Sequence, residues 1–282
     1  MRIMMSAAGS AVAPGIILHL QALGHYVIGH DCEPNGAGLR FCDEWYCSPR
    51  GGPADFSRQF DLYLPFLDDE LRRAATGKIM CSRGETIAIF TSKKAQQDAF
   101  EQANLPVAPR TATTPCMLKG TFGQGGKNVI PLYAGGDLLV KIMSQFGVPQ
   151  KLIKGDEYTV DVLTGLDGGF LFAVPRLRLQ AKGVSVIGQV KMDPEIIALS
   201  RRIVETFKFA GPINIQMIRE RETGKLYIIE LNPRLSGSCM FTVMAGFDIL
   251  QATIRVFDGE PFIEPTRVEE ITVRRYYVEE RA

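Results

Sequence analysis

Charge of one sign, histidine, tryptophan and long apolar runs are all scarce in this 282-residue sequence. Lys and Arg together number 32 against 31 Asp and Glu, for a formal net charge of +1. No overall field draws such a chain to nucleic acid or to a membrane surface, so any anion it binds must be held locally. No stretch approaches the roughly 18 consecutive apolar residues that cross a bilayer. The opening MRIMMSAAGSAVAPG has no basic segment followed by a long apolar run, so no secretion signal is expected. The six cysteines (Cys32, Cys42, Cys47, Cys81, Cys116, Cys239) form no C-x-x-C pair. Reduced thiols in a cytoplasm are expected. His30, Cys32, Cys42 and Cys47 match no common zinc spacing, and buried thiol filler is the better reading. The three histidines, His19, His25 and His30, all lie in the first domain and read as structural or peripheral.

What is present is ordinary for a globular protein: 46% hydrophobic and 22% charged residues. The length suits two or three subdomains rather than one small core. RIMMSA reads as a buried strand, IILHLQAL as a helix stopping at Gly24, and YVIGHD as a second strand. Strands alternating with helices predict a parallel sheet. A dinucleotide site with Asp31 on a ribose is the obvious competing reading. The loop A-A-G-S-A-V-A-P-G is not G-x-G-x-x-G, and Pro14 stands where the helix would pack closely. Further along, Thr91 or Ser92 can cap a helix running to about Ala103, ended by Pro106 and Pro109. Residues 193–208 predict an amphipathic helix with Asp193 as N-cap and Pro194 at its first position. Residues 241–258 predict one further helix.

Three segments carry chemistry. INIQMIRE (213–220) and KLYIIELN (225–232) flank the polar turn RETG. Symmetric pairing about Thr223 sets Gln216 opposite Glu230 and Asn214 opposite Asn232, with all four side chains on one face. Ile213, Ile215, Met217, Tyr227, Ile229 and Leu231 are then expected on the other, buried face. Four amide and carboxylate groups gathered this way suit a hard divalent cation shared with phosphate oxygens; the competing reading is a solvated hairpin end. Arg234, after Pro233, could be aimed back over the patch. The second segment is a glycine-rich turn, with Gly120, Gly123, Gly125 and Gly126 around Thr121, Phe122 and Gln124, Lys119 before it and Lys127 after it. Its backbone amides can wrap phosphate and a lysine can add a point charge, although such turns also make plain hairpins and no Walker A loop is present. In the third segment, QKLIKGDEYTVDVL, an extended run Lys151–Ile153 could read an adenine edge through its backbone, and Glu157 could accept ribose hydroxyls; an edge strand and turn is the competing reading.

In this order, the three segments resemble the ATP-grasp superfamily, with the nearest likeness to the carbamoyl-phosphate-synthase-like branch of carboxylate–amine ligases. IIELNPRLSGS is the most specific match, and the likeness covers nearly the whole chain. It implies an α/β fold of α+β ATP-grasp type: an N-terminal Rossmann-like pre-ATP-grasp domain over residues 1–90, a small subdomain with the glycine-rich lid over 91–154, and a large C-terminal subdomain over 155–282. TSKKAQQDAFEQANLPVAPR resembles the family's leading helix, with a second lysine in place of its usual Asp. The resemblance places α- and β-phosphates on Lys119 with help from Lys94, and the triphosphate lid on Gly123, Gln124, Gly125 and Gly126. Adenine falls to Lys151, Leu152 and Ile153, and ribose to Glu157. The metal falls to Gln216, Glu230 and Asn232, and the transferred phosphoryl to Arg234. VPRLRLQAKGVS resembles a substrate-side segment, so Arg176 and Arg178 join the catalytic candidates. Gln150-Lys151 departs from the family's acidic hinge. The implied activity is an ATP-dependent ligase that activates a small carboxylate, an amino acid or related acid, as an acyl phosphate and joins it to an amine. The cofactors would be ATP and Mg²⁺, with Mn²⁺ as a substitute, and the assembly a homodimer. No attached glutaminase and one ATP-grasp unit argue against full carbamoyl phosphate synthesis. A catalytically silent ATP-binding protein of the same fold and an NAD(P)-binding oxidoreductase stand as alternatives.

Overall fold

The computed structural model describes residues 1–49, 55, 57–71, 78–79, 81–82, 84–121, 129–134 and 136–276. The first unit begins with β1 (Arg2–Met5), α1 (Ala13–Ala22) and β2 (Tyr26–Asp31). β3 (Glu44–Cys47) and β4 (Leu62–Leu64) complete a sheet of order β3-β2-β1-β4 in which every pair is parallel. The short helix α2 (Asp68–Leu71) follows β4. The aspartate weighed for a ribose contact does local work instead: Asp31 accepts from the amides of Gly9 (3.0 Å) and Glu33 (3.1 Å).

α3 (Glu85–Phe90) and α4 (Lys93–Gln102) come next. Ser92 caps α4, its hydroxyl accepting from the Ala95 amide. A three-stranded antiparallel sheet of order β6-β5-β7 then forms from β5 (Cys116–Gly120), β6 (Val129–Leu132) and β7 (Gly147–Lys151), with α5 (Asp137–Met143) between the last two. The rest of the chain builds the largest sheet: β8 (Gly155–Thr164), β9 (Phe170–Lys182), β10 (Val184–Val190), α6 (Pro194–Phe207), β11 (Gly211–Glu220), β12 (Leu226–Asn232), α7 (Met240–Met244), α8 (Ile249–Phe257) and β13 (Thr272–Arg274). Its order is β12-β11-β8-β9-β10-β13, antiparallel throughout.

α6 forms where its caps and apolar spacing predict. Asp193 accepts from the amides of Glu195 and Ile196, and Ile196, Leu199, Ile203 and Val204 turn one stripe into the core. The single helix expected over 241–258 is two. Gly246 between α7 and α8 has φ +104°, and a Cβ there would come within 2.8 Å of the Arg267 carbonyl oxygen. Only glycine takes that backbone cheaply, so the helix breaks.

The six-stranded sheet is covered on both faces, and this positions the site. One face packs on α3, α4 and α6 through Phe90, Phe100, Val160, Val162, Ile203, Ile213, Ile215 and Ile228. On the opposite face, Leu163 and Val174 are buried with Ile3, Met5, Ile16 and Leu20 of the first unit and Leu250 of α8. Farther along β8 that same face carries Asp161, Thr159 and Glu157, because side chains alternate. The first unit therefore covers only part of the face, and polar groups begin where its cover ends. Among the described residues no helix is long and apolar enough to cross a membrane.

Candidate active site

At the end of the hairpin away from the turn the register is the one predicted: Asn214 pairs with Asn232 and Gln216 with Glu230. A β-bulge next to that pair changes the pattern. Met217 lies opposite Ile228, so Ile229 is the extra residue. An inserted residue shifts the alternation of everything beyond it. Tyr227 and Ile229, expected in the buried core, instead cluster with Ala108, Ile153 and Ile218 on the site face, while Ile228 takes the core position. The bulge has a use. Ile229 is out of the ladder, and its carbonyl oxygen accepts from Lys119 Nζ at 2.8 Å.

Lys119 stands on β5 of the small sheet and reaches the hairpin of the large one, 6% exposed. Burial pulls its pKa down to about 8, against a raising influence from Glu230 and with a further lowering one from Lys93. The lysine expected from α4 was Lys94. The structure turns Lys94 to solvent and Lys93 toward the hairpin, Nζ 3.5 Å from Glu230 Oε2. One residue is about 100° around a helix, enough to exchange inside for outside. The Lys93 amide also bonds the Thr121 carbonyl at the end of β5, and Gln96 bonds both backbone groups of Leu231 (2.7 and 2.8 Å). These bonds fix α4 between the small sheet and the hairpin. The lid residues Gly123, Gln124, Gly125 and Gly126, with Lys127, lie outside the described residues.

The four hairpin oxygen-bearing groups divide into two kinds. Gln216 and Glu230 are half-buried. Asn214 is spent internally, its amide donating to Thr159 Oγ1 (2.8 Å), Val160 O and Asp161 Oδ1 (3.2 Å each). Asn232 is buried and its Oδ1 receives Arg234 Nη2 at 3.4 Å. Arg234 is aimed back as expected, and sequence reasoning missed what holds it: Nε donates to Asp68 Oδ1 at 2.6 Å, from α2 of the first unit. Nothing in the residues around Asp68 signals that contact, because it spans 166 positions.

On β8 and β9, Glu157 and Arg178 pair across the strands at 2.5 Å, so the expected ribose group and an expected substrate-side group hold each other. Arg176 has a different task from the catalytic one expected. It and Asp161 are each 1% exposed and paired at 2.8 Å. Arg176 also donates to Ser238 O, Ser238 Oγ and Ser236 Oγ. Buried this way it pins the turn after Arg234 and is out of a substrate's reach. Leu152 and Ile153 lie between β7 and β8, outside both ladders. The Lys151 side chain points away to Glu220 (3.1 Å), and Gln150 turns inward to Gln97 Oε1 (2.6 Å).

A hairpin carrying amide and carboxylate groups, met by a buried lysine from a separate small sheet, belongs here to a chain with the ATP-grasp fold. Residues 148–279 match the family model described as ATP-grasp in the biosynthetic pathway with Ter operon. Among solved structures, the ADP complex of purK, N5-carboxyaminoimidazole ribonucleotide synthetase, superposes with a TM-score of 0.75 at 16% identity, over 96% of this chain and 80% of that one. N5-carboxyaminoimidazole synthetase from Staphylococcus aureus complexed with ADP gives 0.75 at 15% identity, over 95% and 79%. Biotin carboxylase from Campylobacter jejuni gives 0.72 at 15% identity, over 95% and 73%. No curated protein matches the chain in sequence. The resemblance to the ATP-grasp superfamily read from the hairpin and glycine-rich turn therefore holds at the level of the fold.

Proposed function

We propose that this chain is an ATP-dependent ligase that activates a small carboxylate, an amino acid or related acid, and joins it to an amine, releasing ADP and phosphate. One observation carries this reading: Lys93 pairs with Glu230 of the cross-strand pair Gln216–Glu230, and the buried Lys119 reaches the same hairpin at the Ile229 carbonyl. Two lysines beside one carboxylate leave local positive charge, which suits the polyphosphate of a nucleotide. The donor set also fits a hard cation: Gln216 and Glu230 bring partly exposed amide and carboxylate oxygens, and Asn232 brings a buried amide oxygen whose bond to Arg234 is long at 3.4 Å. Gln216, Glu230 and Asn232 would hold Mg²⁺, which when bound neutralises charge on the transferred phosphoryl. The reading divides the chain into three parts, over 1–90, 91–154 and 155–282, in keeping with its three separate sheets.

In the proposed sequence, a carboxylate oxygen of the substrate attacks the γ-phosphorus and ADP leaves with the β–γ bridging oxygen. The amine then adds to the acyl carbon, loses a proton and expels phosphate. Lys119 and Lys93 hold the phosphates in line, and Arg234 spreads the charge of the moving phosphoryl. Adenine would lie against the backbone of Lys151–Ile153, over the apolar cluster of Ile153, Tyr227 and Ile229, with Glu157 on the ribose once Arg178 shares it. Positioning and charge make up most of phosphoryl-transfer catalysis, so lysines, an arginine and oxygen ligands suffice. Trapping with hydroxylamine across a panel of small acids is expected to yield a hydroxamate and ADP with at least one of them. Binding of Mg²⁺-ADP with no hydroxamate from any acid would favour the silent ATP-binding alternative.

Lys119 gives a pH test with a definite sign. Its ammonium is the form that attracts phosphate, and its pKa in the free protein is about 8. ADP affinity is expected to be level below that pH and to weaken above it, by up to about tenfold per pH unit for one linked proton. Lys119→Met should flatten the profile. A wild-type affinity that stays level between pH 7 and 10 would remove Lys119 from the phosphate site.

A further inference from the structure

Arg234 leaves the strand on a turn, where only its amide bond to the Asn232 carbonyl (2.8 Å) carries the backbone on. A long side chain in that position has about 2 kcal/mol of rotamer freedom, so something must choose its direction. Four bonds do: Nε to Asp68 Oδ1 (2.6 Å), Nη2 to Asp68 Oδ2 (3.5 Å), Nη2 to Asn232 Oδ1 (3.4 Å) and Nη1 to the Leu235 carbonyl (3.1 Å). The ion pair is sheltered, with each side chain 12% exposed.

We infer that Asp68, contributed by the first unit, is a positioning residue that presents the Arg234 guanidinium to the transferred phosphoryl group. The inference rests on the role proposed above for Arg234. The short Nε bond is the anchor. Guanidinium has five N–H donors; those bonds use four and leave one on Nη1. The two Nη2 bonds are long, so phosphoryl oxygens can claim the Nη edge while Nε stays on Asp68. Before a phosphoryl group arrives, the carboxylate takes both Nε and Nη2 and so sets the plane of the guanidinium in advance. Asp68 is itself held. Phe66 N, two residues before it, donates to Ser6 Oγ at 2.8 Å. Glu70, two residues after it, is buried and takes the Tyr63 hydroxyl at 2.7 Å. The neighbouring acid is thereby hydrogen-bonded to Tyr63 and adds its field near the arginine, while Asp68 makes the ion pair. Docking of the first unit onto the large sheet thus sets the geometry of a group on the far side of the interface.

The test uses aluminium fluoride, a phosphoryl-transfer mimic that needs no knowledge of the acid. Mg²⁺-ADP affinity is measured by calorimetry with and without it in the full chain, with thermal melts alongside. In the wild type aluminium fluoride is expected to tighten binding on the order of 10²-fold or more. Asp68→Asn should leave ADP affinity unchanged and lose about tenfold of the tightening. Asp68→Glu should recover most of it. Arg234→Lys cannot hold the fork and tests the same point without touching Asp68, with a similar loss expected. Tightening equal to wild type in Asp68→Asn or in Arg234→Lys overturns the inference, even if the melting temperature falls. Full tightening in Arg234→Ala overturns both this inference and the role given to Arg234. A loss in Arg234→Ala with none in Asp68→Asn overturns this inference alone.

Discussion

Replacing Glu230 by glutamine is expected to abolish turnover of Mg²⁺-ATP, a fall on the order of 10³-fold or more, while the protein melts near its usual temperature. The two halves of that expectation have separate reasons. Glutamine has the same shape but no charge, so a hard cation loses its one carboxylate ligand among Gln216, Glu230 and Asn232. Lys93 and Lys119 also lose the anion between them. Removing a single preorganised group from a charge-developing site costs about 10²–10³-fold, and here the ligand and the charge balance go together. Stability should change little, because the partner of Glu230 is Lys93 at 3.5 Å, and a partly solvated pair at that distance contributes at most about 1 kcal/mol. ADP release and a thermal melt decide it. Near wild-type turnover would remove the metal role from this strand. Lost turnover with a large drop in melting temperature would show instead that Glu230 is structural.

Counting outward from a turn centred on Thr223 reaches the Gln216–Glu230 pair, but the rungs beside the turn are one residue off that count (Met217 with Ile228, Arg219 with Leu226), and the bulge at Ile229 makes up the difference. Counting fails at a bulge. Nothing in the run Tyr227-Ile228-Ile229 marks which residue is extra, since all three are apolar and any could be buried. Lys94 came from the resemblance alone, which carries no helix phase, and neighbouring residues of a helix point about 100° apart, so Lys93 rather than Lys94 turns toward Glu230. α6 was read well because two signals, an Asp-Pro start and an apolar stripe, agreed on its frame. The Asp68–Arg234 contact was out of reach because sequence spacing carries no information about how two separately built sheets dock. Position on β9 likewise could not tell a substrate-facing arginine from a buried one, since Arg176 and Arg178 are two apart and so share a face.

For Arg176, the expected result of replacement by alanine is a loss of stability, with catalysis following as a consequence. The change leaves Asp161 buried without its cation. Breaking a buried pair on one side costs about 3–5 kcal/mol. At roughly 2–4 °C per kcal/mol for a chain of this size, the melting temperature should fall by about 6–20 °C. Asp161→Ala should cost a similar amount for a different reason. It strands Arg176 and also removes the acceptor of Ser236 Oγ (2.7 Å) and Thr242 Oγ1 (2.6 Å). The double variant should cost less than the two singles together, because the second change removes the charge that the first left unpaired. It should not return to wild type, since those hydroxyls lose the acceptor that Asp161 gave them and the Asn214 amide loses one of its three. Activity at a temperature where the Arg176 variant stays folded should be reduced only in part, through loosening of Ser236 and Ser238 in the turn behind Arg234. A variant that melts within about 2 °C of wild type, well under the shift for even one lost buried partner, yet has no turnover would return Arg176 to the substrate side. The solvent-shielded pair with Asp161 would then have to open during the reaction.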